Sequence, residues 1–384
     1  MVSVSPSFSH DPVRALVLLG CFSRGVEATG PNQTMLGMAR TLSPDIEFKV
    51  VAEAVPQDVT SKWQIVKGLP QLPIAAGLKG LRELRSVLQS ERYDLLITNG
   101  FFDRRMTTPL LVMRRLGLVP RTPLLLAPHG EFSPGALGLG KARKQAYIAA
   151  MKAGSFLKDV VMQATSEEEA DRIKTVIGPQ QPIVVMPNLR AIDPLPKTAF
   201  APSQTLRIVF ASRIDRMKNL HLALEQAGRS GMPVQFDIFG PISDPDYWAE
   251  IEAMIPKLPS QITVSYGGVL KQSEVVEKIA EYDVMMLPSR GENFAYAVAD
   301  ALLAGVPVLL SDRTPWRGLE AEGVGWDRPL DHPDNFSAAL REYHALPAPR
   351  KLAMRQAARR YAERKLGSNE DREQVRTALR SVIR

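Results

Sequence analysis

Apolar residues in this 384-residue chain occur in short, dense runs separated by longer stretches where they recur every three or four positions. The short runs predict buried β-strands, and the longer stretches predict amphipathic helices. In the first half the predicted strands are residues 14–20, 48–52, 94–98, 123–127, 160–164 and 182–186. The helices predicted between them include residues 32–42, 78–88 and 141–153.

The same alternation resumes after a proline-rich stretch at residues 192–204. Further strands are predicted at residues 206–211, 234–239, 262–266, 283–287 and 306–310. Helices are predicted at residues 219–228, 272–280 and 294–304, and a charged helical tail covers 353–366 and 369–383.

Continuous apolar strands separated by helices indicate parallel sheets covered on both faces. The prolines at 194, 196 and 202 mark a boundary between two such sheets. We therefore predict an α/β protein of two doubly wound domains, residues 1–195 and 196–365, facing each other across a cleft. A final helix, residues 366–384, is predicted to pack back toward the first domain. Ligands of such sheets bind at the carboxyl ends of the strands.

Two acids flank the start of a predicted helix in the second domain. Glu292 lies in the segment Arg-Gly-Glu-Asn-Phe-Ala after strand 283–287, and Asp300 follows eight residues later. A helix N-terminus attracts phosphate, and carboxylates beside it can hold sugar or ribose hydroxyls. The alternative is a helix cap at Glu292 and a solvated Asp300.

Cations follow the first strand of the second domain. Arg213 and Lys218 bracket the turn after strand 206–211, where they could neutralise a diphosphate leaving group. Exposed loop cations are an equally good interpretation of these two residues alone.

In the first domain, His129 follows the end of the strand at 123–127 in the segment Ala127-Pro-His129-Gly130-Glu131. A histidine at a strand's carboxyl end lies near any ligand of the sheet, although a structural histidine is the commoner case. Gly25 and Gly30 lie in the loop before the first helix and could let it approach a phosphate or an acceptor, although a simple turn residue is an equally good interpretation of Gly30. This loop lacks the G-x-G-x-x-G dinucleotide pattern.

The composition of the chain limits its cellular compartment and the kinds of metal or disulfide site that it can form. Cys21 is the only cysteine, so an internal disulfide and a thiolate zinc cluster are excluded. We expect a cytoplasmic protein without cofactor or metal. The segment Asp244-Pro-Asp246 is interpreted as a solvated turn.

The net charge is +7, and residues 62–122 carry 11 basic against 4 acidic residues. This excess favours an anionic partner such as a phospholipid surface, or is simply a solvated basic face.

Together, these segments resemble the glycosyltransferase family 4 type of retaining GT-B enzymes. The family's paired acids correspond to Glu292 and Asp300, its phosphate-binding Arg and Lys-Asn to Arg213 and Lys218-Asn219, and its first-domain histidine to His129. Its glycine pair corresponds to Thr29-Gly30. The chain departs from the family in having Asp300 for a glutamate and Thr29 for a glycine.

The resemblance implies a sugar nucleoside diphosphate donor on the second domain and retention of the anomeric configuration. Backbone N–H groups of Asn293, Phe294 and Ala295 would meet the phosphates, Glu292 the sugar hydroxyls and Asp300 the ribose. Arg213 and Lys218 would stabilise the departing diphosphate, so no metal is expected, and His129 would contact the donor sugar. Further donor contact is expected from Gly30, and acceptor contacts from Asn99 and Glu131.

The acceptor is expected to be a glycan or lipid-linked molecule of bacterial polysaccharide assembly, reached from the inner membrane face. Three alternatives stay open: another GT-B activity such as an epimerase or a phosphorylase, a non-catalytic nucleotide-sugar-binding partner, and nucleic-acid binding. The last is disfavoured because no nucleic-acid module is recognisable.

Overall fold

A computed structural model describes residues 12–20, 30–55, 58–60, 62–138, 140–190, 192, 201 and 203–383. Gly25, Thr29, Cys21 and the three boundary prolines lie outside these residues, as does the predicted boundary at 195–196. The described chain divides into two compact units. The first is Met1–Phe132, Gly140–Leu189 and Glu370–Arg384; the second is Ser133–Leu139 and Arg190–Asn369.

The first unit is built on a sheet that, within the described residues, has eight strands in the order β3-β4-β2-β1-β5-β6-β7-β8. Every pair is parallel except β3 with β4. The strands are β1 (Val13–Leu19), β2 (Ile46–Glu53), β3 (Gln64–Val66), β4 (Leu69–Ile74), β5 (Leu95–Asn99), β6 (Leu124–Ala127), β7 (Val160–Ala164) and β8 (Ile183–Val185).

Helices connect these strands, as the parallel order requires. They are α1 (Gly30–Leu42), α2 (Gly77–Ser90), α3 (Thr107–Arg115), α5 (Lys141–Ala153) and α6 (Glu167–Ile177). The short α4 (Pro134–Gly138) lies in the segment assigned to the second unit.

The second unit contains a parallel sheet whose described strands have the order β11-β10-β9-β12-β13-β14. They are β9 (Leu206–Ala211), β10 (Val234–Phe239), β11 (Ile262–Tyr266), β12 (Val284–Leu287), β13 (Val308–Ser311) and β14 (Gly325–Arg328). The helices are α7 (Leu220–Arg229), α8 (Pro245–Met254), α9 (Val275–Ile279), α10 (Tyr296–Leu303), α11 (Asp334–Ala345) and α12 (Ala348–Leu366).

The last helix, α13 (Asn369–Ile383), packs on the first sheet. Its buried side chains Val375, Leu379 and Val382 join the apolar cluster formed by β1, β2 and α1. Arg376 adds an ion pair of 3.0 Å to Asp45, just before β2. From Glu370 onward α13 therefore belongs to the first unit, whereas α12 belongs to the second.

In both sheets the strand order reverses direction at one point, which is the doubly wound arrangement of nucleotide-binding folds. The reversal lies between β1 and β5 in the first sheet and between β9 and β12 in the second. Connections leave these two strands toward opposite sides, so the loops at their carboxyl ends leave an open crevice. The predicted α/β class with two doubly wound sheets is thus confirmed. The candidate site residues are described below relative to these two reversal points.

The Asp244-Pro-Asp246 segment differs from its prediction. Instead of a solvated turn, it begins a helix: Pro245 is the first residue of α8, and the Asp244 carboxylate accepts a hydrogen bond of 3.0 Å from the Tyr247 N–H. An aspartate before proline is a favourable helix N-cap because it satisfies an otherwise unpaired N–H group.

Candidate functional site

The loops after β9 and β12 meet at the reversal point of the second sheet. Lys218 comes from the first loop and Glu292 from the second. The Lys218 Nζ donates a hydrogen bond of 2.6 Å to Glu292 Oε1, and the two side chains are only 13% and 7% exposed. A buried charge needs a partner, so each residue holds the other in place at the crevice.

The two loops are also joined by two hydrogen bonds to backbone carbonyls. Asn219, buried and in the left-handed region at φ 60°, donates from Nδ2 to the Pro288 carbonyl over 3.0 Å. The Arg290 N–H donates to the Met217 carbonyl over 2.7 Å. The lysine and glutamate are therefore presented by one rigid pair of loops, which is the preorganisation that a charged ligand site requires.

Arg213 lies at the exposed rim of this site. Its side chain is 58% exposed and its Nη2 lies 3.3 Å from Asp215 Oδ2. The same aspartate accepts hydrogen bonds from the Met217 and Lys218 N–H groups, and so shapes the loop that carries Lys218. Since an exposed ion pair is weak, the guanidinium can leave Asp215 for an anionic ligand at little cost.

The segment from Asn293 to Ala295 leads directly into α10, which begins at Tyr296, two residues after the predicted start at 294. Ala295 is the residue before the helix and has φ 62°, a left-handed conformation that is uncommon for a residue with a side chain. The N–H groups of Phe294 and Ala295 have no hydrogen-bond acceptor within the described part of the chain. They point from a helix start, where an anion is electrostatically favoured.

Asp300 has a partner that the sequence did not indicate. Its side chain is 5% exposed and forms an ion pair with Arg190, which is 11% exposed. Burial raises the pKa of Asp300, and the positive charge of Arg190 opposes that rise. A ribose could reach this carboxylate only by competing with the guanidinium.

His129 lies two residues after β6, at the carboxyl edge of the first sheet. Its Nε2 lies 2.6 Å from the Asn99 Oδ1 at the end of β5, and burial lowers the pKa of His129 to about 4. Because an amide oxygen only accepts, Nε2 carries the proton and Nδ1 keeps a free electron pair. The structure thus brings together His129 and Asn99, and the imidazole is neutral at physiological pH.

Glu169, at the start of α6, holds the histidine turn and was missed from the sequence. Its carboxylate accepts the Gly130 N–H over 2.7 Å, the Thr165 N–H over 2.8 Å and the Thr165 hydroxyl over 2.7 Å. His129 has φ 51°, and this bond to the next N–H supports that uncommon conformation. The Ser166-x-x-Glu169 capping pattern indicated a helix start. Nothing in the sequence indicated that the Glu169 carboxylate would bind Gly130, 39 residues away.

Glu131 is engaged with the loop after β5. Its Oε2 accepts the N–H groups of Phe101 and Phe102, and burial raises the pKa of Glu131 to about 7. The side chain therefore positions two aromatic residues that pack with Phe132 and Tyr147, at ring-centroid distances of 5.0 to 6.1 Å. The predicted acceptor contact thus belongs to a carboxyl that also organises this aromatic cluster.

The raised pKa of Glu131 predicts a pH-dependent stability. The unfolded carboxyl ionises near its usual value of 4.5, whereas the folded one keeps its proton up to about pH 7. The folded state thus holds the extra proton in this window, and stability should fall as pH rises from about 4.5 to 7, by up to roughly 3 kcal/mol. Urea denaturation of wild type and Glu131→Gln across this range measures it. Parallel stability curves for the two proteins would contradict the assignment.

Gly30 is the first residue of α1, where its carbonyl accepts the Thr34 hydroxyl over 3.1 Å. A Cβ placed on Gly30 would meet no described atom within 4 Å.

Within the described residues, no three His, Cys, Asp or Glu side chains are grouped as metal ligands would be. No helix in the same part of the chain is long and apolar enough to cross a membrane.

Comparisons with known proteins agree with this architecture. Residues 193–364 match the family model described as glycosyl transferases group 1. No curated protein sequence matches the chain significantly.

Several solved structures share the fold. HepE from Anabaena, solved with UDP and glucose, superposes with a TM-score of 0.72 at 16% identity, covering 96% of this chain and 100% of that one. WaaG, a glycosyltransferase of lipopolysaccharide biosynthesis, gives 0.66 at 14% identity over 94% and 98%. Sucrose-phosphate synthase from Thermosynechococcus elongatus gives 0.65 at 16% identity over 97% and 96%. The chain therefore has the GT-B fold, and its residues 193–364 match the model of the glycosyl transferases group 1 family.

Proposed function

We propose that the protein is a retaining glycosyltransferase that takes its sugar from a nucleoside-diphosphate donor bound to the second unit. The observation that carries this proposal is the buried Lys218–Glu292 pair, located at the reversal point of the sheet beside the N-terminus of α10. A cation, a carboxylate and unpaired N–H groups at one crevice match the phosphates and the hydroxyls of such a donor.

Each residue of the candidate site has its own role in the transfer. Lys218 and Arg213 stabilise the negative charge that grows on the diphosphate as its bond to the sugar breaks. Glu292 accepts hydrogen bonds from sugar hydroxyls, while Phe294 and Ala295 donate N–H groups to phosphate. The acceptor oxygen forms the new bond on the face that the diphosphate leaves, and its proton passes to the departing diphosphate oxygen. Two cations supply the charge that a metal ion would otherwise supply, so we propose that no metal is needed.

In the first unit, we assign His129 to the donor sugar and the surroundings of Asn99 and Glu131 to the acceptor. A neutral imidazole suits this role because a positive one would oppose the cationic character of the sugar in the transition state. The aromatic cluster beside Glu131 offers the flat apolar surface on which sugar rings commonly pack.

Transfer activity is tested by following nucleoside diphosphate release from UDP-, GDP- and ADP-sugars. UDP-glucose comes first, because HepE has been crystallised with UDP-glucose. Slow release by the wild-type protein, abolished in Lys218→Ala, supports a transferase. Binding without any release, even with added glycan acceptors, would favour the non-catalytic alternative.

We further propose a peripheral position on an anionic membrane, where a lipid-linked acceptor would be met. The outer edge of the first sheet supports this: Trp63, Ile65 and Leu78 are 37%, 68% and 76% exposed. Exposed Lys62, Lys67 and Lys79 lie between and beside them in sequence. Apolar side chains among cations favour the surface of an anionic bilayer.

Flotation with vesicles tests this surface. Wild type should float with phosphatidylglycerol vesicles and not with phosphatidylcholine vesicles, and the variant Ile65→Ser/Leu78→Ser should bind about 10-fold more weakly because it loses two apolar contacts. Leu352→Ser, on α12 of the second unit, is the control and should bind as wild type. Equal, negligible binding of wild type to both vesicles would reject the membrane proposal.

A further inference from the structure

Trp316 reaches the candidate phosphate site from a third loop. It follows β13, is 1% exposed, and is among the largest fully buried side chains of the protein. Its Nε1 donates a hydrogen bond of 2.5 Å to the carbonyl oxygen of Phe294, within the segment that leads into α10. No role for this residue followed from the sequence.

The indole ring is held on several sides. Its centroid lies 5.7 Å from that of Phe294 and 6.3 Å from that of Tyr361, and the Lys365 Nζ is 5.4 Å from it. The backbone N–H of Trp316 also donates to the Thr314 hydroxyl over 3.3 Å. A donor fixed in this way fixes its acceptor, so the Phe294 carbonyl cannot rotate freely.

Peptide geometry carries this constraint to the next residue. The bond between Phe294 and Ala295 is trans, so the Phe294 carbonyl and the Ala295 N–H lie in one plane and point in opposite directions. Pinning the oxygen toward Trp316 therefore directs the Ala295 N–H away from it. That N–H has no acceptor among the described residues.

Ala295 has a backbone conformation that needs support from neighbouring side chains. At φ 62° an alanine is in a disfavoured region, and such residues persist only where their surroundings impose the geometry. The hydrogen bond from Trp316 applies to the peptide that immediately precedes this residue.

We propose that Trp316 is a positioning residue for the donor diphosphate: its indole N–H pins the Phe294 carbonyl and thereby directs the Ala295 N–H at a phosphate oxygen. This inference rests on the proposed donor site. Its distinctive consequence is that losing the indole N–H should weaken binding of phosphates selectively and leave binding of the nucleoside part unaltered.

A second tryptophan provides a matched control. Trp326, on β14 of the same sheet, is 2% exposed and donates from Nε1 to Glu342 over 3.2 Å. Trp316→Phe and Trp326→Phe each keep an aromatic ring and lose one buried N–H. The two variants should lose comparable thermal stability, whereas only the first acts on the phosphate segment.

The experiment measures dissociation constants by calorimetry for UDP, GDP and ADP, followed by the nucleoside and monophosphate of the tightest binder. We expect Trp316→Phe to bind the diphosphate about 10-fold more weakly with nucleoside affinity unchanged, and Trp326→Phe to match wild type in both. Equal weakening of nucleoside and diphosphate, or no weakening, would overturn the inference.

Ala295→Gly supplies a second, independent readout. Glycine adopts positive φ without steric cost, so Trp316→Phe/Ala295→Gly should recover part of the lost diphosphate affinity. No recovery would mean that Trp316 acts through general packing. Failure of the wild-type protein to bind any diphosphate would reject the proposed function itself, and so is distinguishable from a defect confined to Trp316→Phe.

Discussion

Replacement of Lys218 by alanine should lower turnover by about three orders of magnitude. Loss of one preorganised group that stabilises transition-state charge costs about 10² to 10³ in rate. Lys218 contacts Glu292 at 2.6 Å, so the substitution also leaves a nearly buried carboxylate without its partner. The rate constant at saturating donor is the quantity to measure.

Arg216→Ala is the matched control for this variant. Arg216 lies in the same loop, but its guanidinium is exposed and paired with Glu250. We expect near wild-type turnover from it. A Lys218→Ala rate within a few-fold of wild type, with the fold intact by circular dichroism, would remove Lys218 from the mechanism.

Glu292 should be coupled to the lysine. Glu292→Ala alone should be about as damaging as Lys218→Ala, and the double variant should be scarcely worse than either, because each side chain is held in place by the other. Independent, multiplying effects would show that each residue keeps its position without its partner.

Replacement of Arg190 by methionine should destabilise the second unit by about 3 to 5 kcal/mol. This is the usual cost of removing one member of a buried ion pair, since the buried Asp300 would then lose its charge partner and keep only the hydrogen bond from Gln272. Arg190→Lys keeps a positive charge and should lose less. Urea denaturation at pH 7 gives the free energy of unfolding.

Two further variants separate this pair from nucleotide binding. Arg190→Met/Asp300→Leu should recover most of the stability, because it also removes the buried charge of Asp300. In Asp300→Asn, a selective loss of affinity for ribonucleotides over 2′- and 3′-deoxynucleotides would support ribose recognition. Unchanged discrimination would assign Asp300 to stability alone. An Arg190→Met protein as stable as wild type would contradict the burial of the pair.

The strand pattern was predictable where apolar residues occupy most positions, or every second position, of a short run. Strands 160–164, 206–211, 234–239 and 262–266 were placed with their observed ends. β4 and its hairpin partner β3 were missed, because Pro70 and Pro73 interrupt the pattern of β4 and β3 has only three residues. β14, Gly-Trp-Asp-Arg, was missed because it carries two charges.

The candidate site was predictable as a set of residue types at strand ends, and less so as a set of contacts. Arg213, Lys218 and Glu292 follow strands that the topology places side by side, so their proximity follows from the predicted sheet. The partners Arg190, Glu169 and Trp316 come from distant segments. Their side chains act through contacts over 22 to 110 residues, for which a single sequence gives no periodic signal.

The central claim is that the second unit binds a nucleoside diphosphate through Lys218 and the start of α10, without a metal. Thermal denaturation with a panel of nucleoside diphosphates and their sugars, each with and without EDTA, tests it most directly. A ligand at about 100 times its dissociation constant stabilises a fold by roughly 2.7 kcal/mol, a readily measured shift. We predict a shift with one base, insensitive to EDTA and absent in Lys218→Ala. No shift with any nucleotide, or one that EDTA abolishes, would contradict the account.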